Sequence, residues 1–118
     1  MAGTSELVAE VTDADFAAEV LASEKPVLVE FTAAWCPPCR MMAPVLAQLA
    51  EERREELRVV TIDVDANGGT QSAYGVLSMP TMMLFQQGEP IWTVVGARPK
   101  RRLGQEVTEA LERARAAA

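Results

Sequence analysis

Histidine is missing from the chain, and cysteine occurs only twice, at Cys36 and Cys39. A zinc site needs four nitrogen or sulfur ligands, so these residues cannot build one and no metal is expected. Apolar runs of the roughly 20 residues that a bilayer requires are also lacking, which argues against a membrane protein. Met1–Glu6 offers neither a basic n-region nor an apolar h-region, so no secretory signal is expected and the cytoplasm is the expected compartment. Positive charge is scarce: 11 Lys and Arg stand against 17 Asp and Glu, a net charge of −6. Nucleic-acid binding wants the opposite balance and is not expected. No repeat, low-complexity tract or linker interrupts the 118 residues, and 49% of them are apolar. A single domain over 1–118, with a core of its own and acting as a monomer, is the expectation.

What is present centres on Val27–Arg40, which reads as an apolar strand, a short turn and a helix opening on a cysteine. The thiolate is the reactive form of cysteine, and the free N–H groups and positive dipole end of a helix N-terminus favour it. With Cys36 as N-cap, Pro37 and Pro38 take the first two helical positions, where a missing N–H costs little. Cys39 follows one turn along. Because Pro38 has no N–H, the Cys39 amide is the remaining capping donor for the Cys36 sulfur. A sulfur more acidic than a free thiol, though only moderately so, is expected. As a staple the pair is weak: closing four residues contributes roughly 2 kcal/mol, against about 3 for fifteen. A plain stabilising disulfide and half a metal site are therefore the lesser readings beside a redox pair.

The flanking pattern places this site in an α/β frame. Glu6–Val11 suggests an edge strand. Thr12–Asp15 has the form of a capping box, with Val11 and Phe16 spaced as a hydrophobic staple, and a helix carrying Phe16, Val20 and Leu21 should follow, ending at Ser23–Pro26. Val27–Thr32 is nearly continuous in apolar residues, as a strand covered on both faces should be, with Glu30 breaking the run. From Cys36 a helix continues through Met42, Val45, Leu46 and Leu49. Pro44 within it should introduce a kink, and Glu51–Glu56 forms its solvated end. Leu57–Val64 predicts a second buried strand. Asp65–Gly69 reads as a turn before a short helix carrying Tyr74–Gly75. Met82–Gln86 and Ile91–Val95 form a hairpin about Gln87–Pro90. A last helix carries Leu103, Val107 and Leu111, and the basic run Arg98–Arg102 reads as a solvated face ahead of the competing reading, a site for an acidic partner. The order β-α-β-α-β-α-β-β-α gives a central mixed sheet of about five strands, flanked on both faces by about four helices.

Taken together, Trp35-Cys36-x-x-Cys39 after an apolar strand, Met42-Ala43-Pro44, Asp63-Val64-Asp65, Tyr74-Gly75-Val76, Met79-Pro80-Thr81, the Gly88 turn and Val95-Gly96-Ala97 resemble the thioredoxin family, in order, from about Asp15 to Leu111. The resemblance implies the thioredoxin fold and a thiol–disulfide oxidoreductase that reduces disulfide-containing client proteins. It implies re-reduction by a flavin-dependent thioredoxin reductase fed by NADPH, with no bound cofactor in this chain. By the same likeness Cys36 would attack and Cys39 would resolve. Trp35 would shield the site, and Pro37 and Pro38 would border it. Pro80 would be a cis-proline facing the cysteines, Met79 would pair a client strand through its backbone, and Gly96 would give that strand room.

Three departures from the family pattern bear on chemistry. Pro37-Pro38 replaces the commoner Gly-Pro spacer, Thr32 stands where a second tryptophan is usual, and Glu30 replaces the buried aspartate, with Thr61 in place of its lysine neighbour. A carboxyl in an apolar strand is disfavoured as an anion, so its pKa should rise, and Glu30 becomes the candidate acceptor of the Cys39 proton. A glutamate whose stem reaches solvent is the competing reading. At the level of function, the rivals are a binding module in which redox turnover is incidental and a dedicated donor to one client enzyme.

Overall fold

The computed structural model describes residues 7–117. Met1–Glu6, including the first residue of the expected edge strand, lies outside the described residues, as does Ala118. The strand Val27–Thr32 is the middle of the sheet, and its burial explains its composition: Val27, Leu28, Val29 and Phe31 are completely buried. Taking the strands in chain order as β1 (Val8–Val11), β2 (Val27–Thr32), β3 (Arg58–Asp63), β4 (Thr81–Gln86) and β5 (Glu89–Val95), their order across the sheet is β1-β3-β2-β4-β5. β1 and β2 run parallel to β3; β4 runs antiparallel to β2 and to β5. This is the mixed five-stranded sheet expected, with β1 at an edge.

Side chains alternate across a strand, and β2 divides two cores accordingly. Val27, Val29 and Phe31 join Phe16, Val20, Val76 and Phe85 on one face, where the rings of Phe16, Tyr74 and Phe85 meet at 5.2–5.8 Å. Leu28 faces the other layer, built from α1 (Pro37–Glu52) and α3 (Lys100–Ala117) through Met42, Leu46, Leu49, Leu103 and Val107. By the same parity Glu30 points toward α1.

Two helical expectations need correction. The segment after β1 is a π-helical turn, Ala17–Leu21, closed by Ala22 N–H donating to Ala17 O at 2.9 Å. The reciprocal hydrogen bonds of the expected capping box are formed, Thr12 N–H donating to Asp15 Oδ1 at 2.6 Å and Asp15 N–H to Thr12 Oγ1 at 3.3 Å, but they close the turn ahead of this element, whose N-cap Phe16 makes no side-chain capping bond. The short helix α2 spans Gly68–Ala73 and ends before Gly75, so the two glycines read as turn residues open it instead. Its capping group is distant in sequence. Asp13 accepts from the amides of Gly69 and Thr70 and from the Thr70 hydroxyl, while its own amide donates to Asn67. The Thr70 hydroxyl and amide hold the Asp13 carboxyl below its ordinary 3.8. α1 runs unbroken through the exposed Pro44. In the hairpin, positive φ at Gln87 and Gly88 (54° and 81°) makes the tight turn. Three of the four cations in the basic run pair within the chain: Arg98 and Arg102 with Glu106, and Lys100 with Glu52. No helix among the described residues is long and apolar enough to cross a membrane.

Candidate active site

Sheet register brings the predicted residues together. Phe31, Thr81 and Val95 lie in one row across β2, β4 and β5. The segment leaving β2 (Ala33–Cys36), the residues entering β4 (Met79 and Pro80) and the residue leaving β5 (Gly96) therefore meet at one end of the sheet. Gly96 N–H donates to Pro80 O at 2.8 Å, tying two of these segments together. Gly96 has φ +101°, a conformation that suits glycine and strains other residues.

Cys36 is the N-cap of α1, with extended backbone, and its sulfur accepts the Cys39 N–H at 3.3 Å; Pro37 and Pro38 fill the first two helical positions. The two cysteines form a disulfide, with Cα atoms 5.3 Å apart. Both are 3% exposed, while Pro37 and Pro38 beside them are exposed. The Cys36 sulfur also lies 3.5 Å from the Met79 carbonyl oxygen, which a reduced Cys36 thiol can reach as donor. The Met79–Pro80 peptide bond is cis, as the resemblance implied. Pro80 itself is buried and Met79 half-buried, so Met79 is the more accessible of the two. Trp35 is 62% exposed, and its indole N–H donates to Asp65 Oδ2 at 2.8 Å. Asp65 is in turn held by its amide donating to Asp63 Oδ1 at 2.9 Å. Sequence reasoning missed this anchor; Asp65 was visible only as part of a short motif and a turn. Apolar exposure continues around the site's end of the molecule in Leu77 and Val95.

Glu30 lies inside the protein, away from this exposed rim. It is 2% exposed, and its Oε2 has no hydrogen-bond partner among the described residues. Its sheet neighbours are Thr61 on β3 and Met82 on β4, neither of them charged. Burial with no opposing cation raises its pKa from 4.5 to about 8. The solvent-reaching alternative for this side chain is thus set aside. Glu30 and Cys39 line the same cavity of about 410 Å³ under the start of α1, together with Ala33, Ala43, Thr61 and Asp63. The structure consequently presents two sides of one disulfide. Cys36 is turned toward Met79 and the exposed prolines, and Cys39 toward a cavity holding a buried carboxyl. Among the described residues no group of Cys, Asp or Glu is placed to hold a metal ion.

Comparison with known proteins follows the same outline. A family model described as Thioredoxin matches residues 7–109. A thioredoxin of Mycobacterium tuberculosis (strain ATCC 25618 / H37Rv) is 50% identical over 99 residues, covering 84% of this chain and 85% of the relative. Thioredoxin 1 of Synechococcus elongatus is 46% identical over 105 residues, covering 89% and 98%. A bifunctional thioredoxin reductase/thioredoxin of Mycobacterium leprae is 50% identical over 100 residues; these cover 85% of this chain but only 22% of that longer protein.

Proposed function

The chain belongs to the thioredoxin family and is a thiol–disulfide oxidoreductase, and on that premise we propose how its residues divide the reduction of a protein disulfide. Reduced Cys36, as thiolate, attacks one sulfur of the client disulfide. A Cys36–client disulfide forms, and the other client sulfur leaves as a thiolate. Cys39 then gives its proton to Glu30, across the shared cavity or through solvent within it, and attacks the Cys36 sulfur. The Cys36–Cys39 disulfide closes, the second client thiolate departs, and two electrons have passed from the protein to its client. Met79 offers its backbone to an extended client segment. Gly96, without a side chain, leaves that segment room, and Trp35, Pro37 and Pro38 border it. Pro80 holds Met79 in place from beneath, through its link to Gly96. The disposition of the two sulfurs, one against the Met79 backbone and one over the Glu30 cavity, carries this assignment.

Family members are re-reduced by thioredoxin reductase. We assign that step to a flavin-dependent, NADPH-fed reductase, consistent with a relative whose name joins both activities in one chain. A monomer working in the cytoplasm, where such dithiols are kept reduced, completes the reading. The test is trapping. Cys39→Ser should accumulate a stable mixed disulfide between Cys36 and client protein, visible on a non-reducing gel and released by dithiothreitol, whereas Cys36→Ser should trap nothing. Accumulation on Cys39 in the Cys36→Ser variant would overturn the order of attack.

A further inference from the structure

The cavity beneath α1 is larger than a proton transfer requires. Its volume of about 410 Å³ would hold a small organic molecule beside the buried carboxyl, and Val8, Ala43, Leu46 and Ala47 give it an aliphatic wall. Glu30 contributes an oxygen that is sealed from bulk solvent and meets no donor among the described residues. The charged and titratable groups around it are Glu10 from β1, Asp63 from β3, and Arg40 and Cys39 from α1; β4 presents the uncharged Met82. Asp63 already accepts from the Asp65 amide, and Arg40, the one cation in the lining, donates to the neutral Ala34 carbonyl of the same lining at 2.9 Å. The surplus is negative and the walls are apolar. Because no three ligating side chains among the described residues are arranged for a metal ion, the complementary ligand is organic.

We infer that this cavity is a binding site for a small organic monocation, an amidinium or alkylammonium whose head pairs with Glu30 and whose apolar body lies along Val8, Ala43, Leu46 and Ala47. A charge-assisted hydrogen bond to the Glu30 carboxylate stabilises the ligand's head, and burial of the ligand's apolar part adds affinity. Such a ligand sits beside Cys39 and occupies the carboxylate, so it slows closure of the disulfide. That consequence rests on Glu30 as proton acceptor; the binding does not.

The experiment uses the oxidised protein, in which neither cysteine titrates. Benzamidinium chloride is titrated in, with amide shifts followed by two-dimensional NMR and neutral benzamide as control. Saturable shifts are expected at β2, β3 and the first turns of α1, with benzamide producing none. Affinity should rise about tenfold between pH 7 and pH 9 as Glu30 ionises. Glu30→Gln should weaken binding at least about tenfold, and Thr61→Lys, which places an ammonium next to Glu30 across the β2–β3 pairing, should abolish it. Absence of saturation, equal binding of benzamide, or unchanged affinity in Thr61→Lys overturns the site, and the last arm decides even where Glu30→Gln fails to fold. Saturation that leaves insulin reduction by the reduced protein unchanged keeps the site and removes Glu30 from the reaction, which separates the two assignments.

Discussion

Cys36 and Glu30 owe their properties to different kinds of neighbourhood. The Cys36 sulfur is governed locally: its position at the start of α1, two prolines that carry no N–H, and one amide donor three residues on. Those three features were legible in the sequence, because each lies within four residues of Cys36, whereas the Met79 carbonyl 3.5 Å from the sulfur lies 43 residues away. Glu30 is governed by strands that are distant in sequence, Thr61 and Met82 flanking it without charge. Its burial could be anticipated from the apolar run around it, but the cavity shared with Cys39 could not. The Trp35–Asp65 hydrogen bond was illegible for the same reason, since thirty residues separate the partners and neither carries a pattern that announces the other. Replacing Glu30 with glutamine keeps the shape and removes the proton acceptor. Release of client from the Cys36 mixed disulfide should slow by about 10²-fold, the lower end of what a positioned acid–base group supplies. The rise in release rate centred near pH 8 in the parent protein should disappear. Stopped-flow kinetics across pH 6–9 measure both effects; an unchanged profile would remove Glu30 from the mechanism.

At the scale of elements, the strands and the long helices followed from apolar periodicity, and the mixed character of the sheet from their alternation, while the order β1-β3-β2-β4-β5 came only with the structure. The discrepancies fall where hydrogen bonding, not periodicity, decides. A π-helical turn and an α-helix place Phe16, Val20 and Leu21 on similar faces, so the pattern could not separate them. α2 opens on Gly68 and Gly69, poor helix formers, because Asp13 supplies the acceptor for its first amides from across the fold. Asp13 had been read only within the capping box of its own segment. α1 tolerates Pro44 on its exposed side, but the proline has no N–H to offer the Arg40 carbonyl. Pro44→Ala should therefore stabilise the protein by roughly 1–3 kcal/mol in urea unfolding, whereas a loss of stability would mean that the proline ring's packing at this position is needed. Leu103→Ala, at a completely buried position joining α3 to α1 and the sheet, should cost about 2–5 kcal/mol in the same assay.

The whole molecule combines a two-sided core with one ionisable group set inside it. In the folded chain Glu30 has a pKa raised from 4.5 to about 8, so between those values the native state keeps a proton that the unfolded chain has released. Its contribution is fully present below pH 4.5 and is lost as pH rises toward about 8, at most about 1.4 kcal/mol per pH unit. Chemical denaturation across that range should show this decline in the parent and a flatter curve in Glu30→Gln; parallel curves would contradict it. The same assembly brings the ends of β2 and β5 and the start of β4 around one sulfur, and the central claim is that folding makes that sulfur reactive even as it buries it. Alkylation of the reduced protein by iodoacetamide at pH 7, mapped by mass spectrometry in the native and urea-unfolded chain, tests this most directly. Cys36 should label before Cys39, and about tenfold faster in the folded protein than in the unfolded one; labelling of Cys39 first, or faster labelling of Cys36 on unfolding, would contradict the account.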